Sequence, residues 1–484
     1  MCGIVGIYKT SDDVCSEIYD GLIQVQHRGQ DAAGISTWDG SKMHLQKEIG
    51  LVTEAFKQES SHSHLVGNIG IGHVRYPTAG SDDVGEAQPF HTANPVNITL
   101  AHNGTLINSE EIREDLVKTH FCQFNTNSDS EVLLNLFAYE LYKTNFRKLT
   151  NQHIYKALKG VFEKCQGGYA VTMLVAGIGL VAFRDPNGIR PLSIGKRKDS
   201  LMIASESSAL TALEFEVLSS VAPGQAIIIN ESGELFKRWI TRGNEHLPCL
   251  FEFVYFSRPD SNIDSISVHK TRLRMGDFLG EKVKSEYSNL DVDVVIPIPD
   301  TSRTAAMQVA YKLGVKYREG FMKNRYIGRT FIMPGQSLRK RTVKQKLNPI
   351  DIEFNNKNVL LVDDSIVRGH TSKRIIQMVK NSGAKKVYFA SASPPIRFQN
   401  IYGIDMPATK ELIAHKRSIN QIKKAIGADE LIYQNLEDLK MAAHIGNPKI
   451  KEFEDSVFTG QYNVGTVTKE FLRSLEKSRL DSNR

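Results

Sequence analysis

Cysteine is scarce in this chain, and the cysteines present are not spaced to work together. Five occur, at positions 2, 15, 122, 165 and 249. Their number is odd and no two form a Cys-x-x-Cys pair, so a disulfide framework, a zinc knuckle and a ferredoxin-type cluster are poorly supported. The cytoplasm is the expected compartment for such a chain. No apolar run is long enough to span a membrane. The longest, Tyr169 to Phe183, is broken by Gly177 and Gly179 and is expected to form two short strands around a glycine turn. A basic segment followed by an apolar stretch is missing near Met1, which argues against a signal peptide. A Gly-x4-Gly-Lys-Ser/Thr loop is also missing; Gly195-Lys196 is followed by arginine and lacks the first glycine.

One segment lacks acids altogether. Phe321 to Leu347 carries Lys323, Arg325, Arg329, Arg339, Lys340, Arg341, Lys344 and Lys346 with no Asp or Glu. That exceeds the whole chain's net charge of +7, so the remainder is close to neutral. A near-neutral body with one basic loop is not the pattern of a general nucleic-acid binder, and no nucleic-acid or membrane partner is expected.

What is present reads as an ordinary globular protein, 41% hydrophobic and 24% charged over 484 residues. That length allows about two to four domains. Strands are expected at Gly3–Tyr8, Gly70–Val74, Ile98–His102, Ala170–Val175 and Leu180–Phe183. Helices are expected at Cys15–Gln26 and at Asp129–Leu141, the latter capped by Ser128. After about residue 235 the texture changes. Apolar β-branched runs at Val292–Ile298, Asn358–Val362 and Lys386–Ala392 alternate with helical patterns at 301–313, 371–382 and 421–427. Such alternation predicts parallel βαβ units. Phe471, Leu472 and Leu475 among charges predict a terminal amphipathic helix.

Cys2 directly follows Met1. Removal of Met1 is expected, because a methionine before a small residue is normally trimmed. The thiol would then share one residue with an α-amine of pKa about 8, which can accept a proton near neutral pH. Nucleophile and general base would sit together, as in N-terminal threonine enzymes. A thiolate attacking a carboxamide needs donors aimed at the developing oxyanion, and an asparagine amide with a glycine N–H can supply them. Asn103-Gly104 offers both, although the pair is equally a hairpin turn signal. A free amino acid needs a cation for its carboxylate and an anion for its ammonium; Arg75 and Asp129 are the right types. Asp129 could equally be a first-turn acid favoured by the helix dipole, and Arg28 a surface ion-pair partner.

Taken in order, MCGIVGI, QHRGQDAAG, GHVRYPTAG, LAHNGTL and SDSE resemble the glutamine amidohydrolase domain of N-terminal-nucleophile amidotransferases. The resemblance implies a four-layer αββα fold over residues 1–235. It implies Cys2 as nucleophile with its α-amine as base, and Asn103 with the Gly104 N–H as the oxyanion hole. It also implies Arg75 and Asp129 as the clamp on glutamine, with Arg28 near the nucleophile to order the site.

Residues 358–372 form a second constellation, an apolar strand ending in Asp363 and Asp364 before a loop with Gly369. Adjacent acids at a strand's carboxyl end can hold two ribose hydroxyls and neighbour a metal. Loop N–H groups with the Thr371 and Ser372 hydroxyls can cradle a phosphate, and ligands in open α/β sheets bind at this edge. A strand-to-helix turn rich in capping residues is the alternative. The pattern Asn-Val-Leu-Leu-Val-Asp-Asp-Ser-Ile-Val-Arg-Gly-His-Thr-Ser resembles the signature of type I phosphoribosyltransferases, α/β domains with a parallel sheet. That resemblance assigns Asp363 and Asp364 to ribose, and Ser365, Arg368, Gly369, Thr371 and Ser372 to the loop that grips the 5′-phosphate of phosphoribosyl pyrophosphate. Val295 to Ser302 would touch pyrophosphate, with Ser302, Asp363 and Asp364 at a Mg2+ ion. The basic stretch, including Lys323 and Arg329, resembles the mobile loop that closes over the substrate.

Both halves in this order, with Phe253 to Asp260 between them, resemble the glutamine phosphoribosylpyrophosphate amidotransferases. Residues 236–465 would be the phosphoribosyltransferase domain and 466–484 a helical tail. The resemblance implies that ammonia from glutamine passes to C1 of phosphoribosyl pyrophosphate, giving 5-phosphoribosylamine, the first committed intermediate of purine synthesis. Tyr255 is the expected coupling residue, AMP and GMP the expected feedback inhibitors, and a homotetramer the expected assembly. Some members bind an iron–sulfur cluster through second-domain cysteines. Here only Cys249 lies in that half and Asp455-Ser456 replace late cysteines, so no cluster is expected. An asparagine synthase would need a Ser-Gly-Gly-x-Asp-Ser loop, which is absent. A sugar isomerase half would not explain Asp363-Asp364. A nonenzymatic nucleotide sensor would not need Cys2, Arg75, Asn103 and Asp129 together. An RNA-binding protein using the basic loop is the remaining alternative.

Overall fold

The structure, a computed structural model, describes residues 2–57, 64–76, 84–120, 122–323 and 347–481. Pro77, Thr78 and the basic stretch from 324 to 346, Arg329 included, lie outside the described residues.

Two antiparallel sheets face each other in the first half. The seven-stranded sheet runs Glu216–Ser220, Ser193–Arg197, Ser200–Ala204, Gly3–Tyr8, Ile69–Arg75, Ala32–Trp38, Met43–Ile49. The six-stranded sheet runs Leu235–Trp239, Gln225–Asn230, Gly179–Arg184, Gly167–Val175, Ile98–Leu106, Phe90–Thr92, so it continues past residue 235. Successive strand side chains point to opposite faces, and the sequence uses both. Val5 and Ile7 pack under the helix Cys15–Gln24 with Ile18 and Leu22. Ile4 and Tyr8 face the second sheet, meeting Leu174 and Leu180. On that sheet Val171, Met173 and Val175 turn outward onto Leu133 and Phe137 of the helix Asp129–Tyr142 and Leu158 of the helix Asn151–Lys164. The layers are therefore αββα.

Asn103-Gly104 does not end its strand. The strand continues to Leu106 because Gly167–Val175 pairs along its whole length, Asn103 opposite Ala170 and Gly104 opposite Tyr169. Ser128 caps its helix as expected, accepting a 3.2 Å hydrogen bond from the Ser130 N–H.

The second half is a five-stranded parallel sheet, Lys316–Tyr317, Val294–Pro297, Asn358–Asp363, Lys386–Ser391, Glu430–Tyr433. Val295, Leu360, Val362 and Ala390 share a core with the helices Val268–Glu286 and Arg303–Leu313. Val294, Ile296, Leu361 and Phe389 share another with the helices His370–Asn381 and Ile419–Ile426. Helices on both faces explain why these strands read as unbroken apolar runs. A final helix, Lys469–Asp481, rests Phe471, Leu472 and Leu475 on the second-half core. Among the described residues no helix is long and apolar enough to cross a membrane.

The halves are joined through buried charge. Arg184, at the end of its strand, gives 2.6 and 2.8 Å hydrogen bonds to the two carboxylate oxygens of Asp264. Its other donors reach the carbonyls of Gly188, Arg190 and Val221. Burial alone would push the Asp264 carboxyl up, but Arg184 and His246 outweigh it and hold it below the ordinary carboxylate range. Arg184→Met leaves that carboxylate buried beside His246 alone and is expected to cost about 3–5 kcal/mol in urea unfolding. Arg184→Lys should recover only part of this, since an ammonium cannot make the two-pronged contact.

Candidate active sites

Cys2 stands immediately before the strand Gly3–Tyr8. Its backbone nitrogen donates to Asn103 Oδ1 at 3.2 Å, and its Sγ lies 3.9 Å from the Tyr76 carbonyl. Asn103 is fully buried, and its Nδ2 has no hydrogen-bond partner among the described residues. Gly104 is required by close approach: a Cβ there would stand 2.1 Å from the Gly168 carbonyl oxygen and 2.7 Å from Tyr169 Cα. Arg75 is the last residue of its strand and is buried. Asp129 opens its helix, with Oδ2 accepting from the Leu106 N–H at 2.9 Å and Oδ1 from Ser130 Oγ at 3.3 Å.

Beneath these residues lies a polar floor that sequence reasoning did not find. Gln88 accepts from the His102 N–H at 2.7 Å and donates to Ser130 Oγ at 2.9 Å. His102 Nδ1 is 3.0 Å from the same hydroxyl. Burial pushes the His102 pKa down despite Asp129, and pushes His73 down to about 3 with help from Arg75 and His102. Both imidazoles are therefore neutral at physiological pH. The strings LAHNGTL and SDSE contain two of these residues, but only their contacts show what they do.

Arg28 is directed elsewhere. Its guanidinium donates to Glu206 at 2.5 Å, to Glu252 at 3.2 and 2.6 Å and to Ser257 at 3.2 Å. It thereby ties the first half to the single π-helical turn Glu252–Phe256, which carries Tyr255. The Tyr255 ring packs on Phe251 and Phe256.

Asp363 ends its parallel strand, and its Oδ1 accepts from the Asp364 N–H at 3.0 Å. Asp364 is held by Ser365 Oγ at 2.7 Å and by a short bond from Thr301 Oγ1. Ser302, one residue on, turns its hydroxyl inward to the Ile298 carbonyl. Gly369 has φ +76°, and a Cβ there would meet Ile413 Cδ1 at 2.2 Å, so the loop needs glycine on two counts. Of the helix that follows, Ser372 is buried and Thr371 exposed. Arg368 pairs with Glu411 at 3.2 Å on the surface. Lys323 reaches Asp300, beside Thr301, at 2.7 Å.

Arg272 was not singled out from sequence. It donates to the carbonyls of Phe253, Tyr255 and Ser257 at 2.9, 3.1 and 2.8 Å, and its charge also acts on Asp364. Its charge, fixed by the Tyr255 segment, thus acts on the acid pair through space.

Known proteins share this two-domain order. Residues 73–212 match a glutamine amidotransferase domain and 264–393 a phosphoribosyl transferase domain. The amidophosphoribosyltransferase of Pseudomonas aeruginosa is 53% identical, over 100% of this chain and 97% of its own. That of Escherichia coli is 53% identical, over 99% and 96%. The chain belongs to the amidophosphoribosyltransferase family. Members of this family aminate phosphoribosyl pyrophosphate with glutamine nitrogen, the first step of purine biosynthesis. A solved family structure, glutamine phosphoribosylpyrophosphate amidotransferase from B. subtilis with ADP and GMP, superposes with a TM-score of 0.85 at 36% identity, covering 97% of this chain and 98% of that one.

Burial pushes both carboxyls of the acid pair up, and the charge of Asp364 pushes Asp363 further. An unfolded aspartate titrates at about 3.9. The folded chain therefore keeps these protons longer than the unfolded one, and the pair destabilises the fold increasingly as pH rises from there through the folded values. Asp363→Asn in metal-free buffer is expected to melt above the parent at neutral pH, with the difference shrinking as pH falls towards ~4. Calorimetry across pH tests this; a melting point below the parent's at neutral pH would contradict it.

Proposed function

We propose that this chain runs its family's reaction with Cys2 and the Asp363–Asp364 pair as the two chemical ends. With Met1 removed, the Cys2 α-amine takes the thiol proton and the thiolate adds to the side-chain carbonyl of glutamine. The Asn103 Nδ2 and the Gly104 N–H stabilise the oxyanion, while Arg75 and Asp129 hold the α-carboxylate and α-ammonium. Ammonia leaves, and water releases glutamate from the thioester. The observation that carries this reading is the Asn103 carboxamide. Its oxygen is committed to the Cys2 nitrogen, while its buried amide donor has no partner. An unpaired buried donor costs about 1–3 kcal/mol. A developing oxyanion is the group that would take it up.

Ammonia then displaces pyrophosphate at C1 of phosphoribosyl pyrophosphate, on the face opposite the leaving group. Asp363 and Asp364 take the ribose hydroxyls. Ser365, Arg368, Gly369, Thr371 and Ser372 take the 5′-phosphate, and the loop at Ser302 lies against pyrophosphate. The residues fit a Mg2+ ion of a particular kind. Two carboxylates adjoin, but no group of three acids, histidines or cysteines able to hold a metal occurs among the described residues. That suits an ion that keeps waters and substrate phosphate oxygens as ligands. When bound, it supplies positive charge at the departing pyrophosphate. Ser302 could join only by turning its hydroxyl from Ile298. Tyr255, tied through Arg272 towards Asp364, couples the sites. The ADP and GMP on the B. subtilis enzyme support purine nucleotides, AMP and GMP among them, as inhibitors here. A homotetramer is the assembly we expect.

The assay combines protein, glutamine, magnesium and phosphoribosyl pyrophosphate, and measures glutamate and pyrophosphate. Near-equal yields are expected, with glutamate release depending on the sugar. Cys2→Ala should lose glutamine-dependent amination and keep the ammonia-dependent reaction; glutaminase activity in that variant would overturn the nucleophile assignment. Asn103→Ala should lower kcat with glutamine about 100- to 1,000-fold.

A further inference from the structure

The oxyanion glycine touches the second half of the molecule backbone to backbone. A Cβ on Gly403 would stand 2.8 Å from Gly104 Cα and 3.1 Å from its carbonyl carbon. Gly403 has φ +106°, a conformation L side chains rarely adopt. Its turn is held from both sides. Asn400 Oδ1 accepts from the N–H groups of Tyr402 at 2.8 Å and Ile404 at 3.0 Å, and Asn400 Nδ2 donates to Glu454 at 3.2 Å. The buried Tyr402 hydroxyl donates to the Val464 carbonyl at 2.8 Å and accepts from its N–H at 3.1 Å. Gly104 thus meets its own domain at Gly168 and Tyr169, and the other domain at Gly403.

We infer that Gly403 is a positioning residue for glutamine hydrolysis: the phosphoribosyltransferase half supplies the surface that fixes the Gly104 peptide in its oxyanion-binding place. The inference rests on the reading of Asn103 and the Gly104 N–H as one oxyanion hole. A donor of this kind acts in the transition state, and a displacement on the order of 1 Å can cost about 100-fold in rate. No side chain of Gly403 touches substrate; it acts through closeness alone. A methyl group at 403 must push Gly104, its own turn, or both.

Gly403→Ala is the test, with glutamine hydrolysis and ammonia-dependent amination measured in the same full-length protein. A roughly 10- to 100-fold fall in kcat with glutamine is expected, with KM for glutamine little changed. The ammonia-dependent rate and the rate of Cys2 alkylation by iodoacetamide should match the parent, since neither needs the oxyanion hole. Gly427→Ala is the control for backbone strain. Gly427 has φ +79° with open space around it, so that variant should melt lower and keep both activities. Unchanged kcat with glutamine in Gly403→Ala, or a parallel fall in both activities, would overturn the inference. If that variant does not fold, Asn400→Ala decides the matter by the same selective loss, because it loosens the turn without adding bulk. Failure of the underlying reading looks different: Asn103→Ala would then leave kcat with glutamine unchanged.

Discussion

A guanidinium with no exposed surface, Arg28, lies between Glu206 of the first half and Glu252 at the start of the second. Taking such ions out of water costs several kcal/mol each, and opposite charge recovers this only with good geometry. Here the geometry is good. Arg190 also reaches Glu252, and His27, Ser257 and Ser261 fill further acceptor positions on the two carboxylates. Burial alone would push both glutamates up, yet the arginines outweigh it and hold both below their ordinary values. Apolar residues of the same volume are often as stabilising as such buried ion pairs. What the charges add is a single register, because a shift by one residue would strand an ion. The Tyr255 segment is the one whose register is set, and its carbonyls in turn hold Arg272, whose charge acts on Asp364.

The residues legible in the sequence are those whose meaning is local. Asp363 and Asp364 follow an apolar run that must be a buried strand, so their place at a strand end needs no tertiary knowledge. Asn103-Gly104 shows its donor groups in the sequence but not its conformation. Locally it signals a turn, and only pairing with Gly167–Val175 keeps it within a strand. Ser302 and Thr301 show the limit at finer grain. Both hydroxyls precede the same helix, and which one turns towards Asp364 depends on the path of the loop from Ile298.

Residues whose partners lie far along the chain were not legible. Arg28 finds Glu252 across 224 positions, and nothing near Arg28 announces an interdomain ion pair. Arg272 sits in a helix whose exposed face is rich in charge, and one more arginine there carries no signal. Gly403 is a single glycine in an irregular stretch; its meaning is the absence of a side chain where two backbones meet. Adjacent functional groups leave motifs, whereas close approach leaves only a small residue.

Two continuous segments join the sites. Residues 252–257 run from the Arg28 cluster to the carbonyls that hold Arg272, whose charge acts on Asp364. Residues 403–413 run from the Gly104 contact to the loop before the helix His370–Asn381, where the Ile413 N–H donates to the Val367 carbonyl at 2.9 Å and its side chain covers Gly369. Ammonia in neutral water is mostly protonated and then cannot attack, so passing it between the two proposed sites would require the halves to keep a fixed relation. Exposed ion pairs could not maintain that relation, because each contributes at most about 1 kcal/mol. Close-packed backbone and buried charge can, because interiors at crystal-like density transmit a displacement instead of absorbing it. Glycine stands at both ends of the second segment, at 104 with 403 and at 369 with Ile413, because each contact leaves no room for a Cβ.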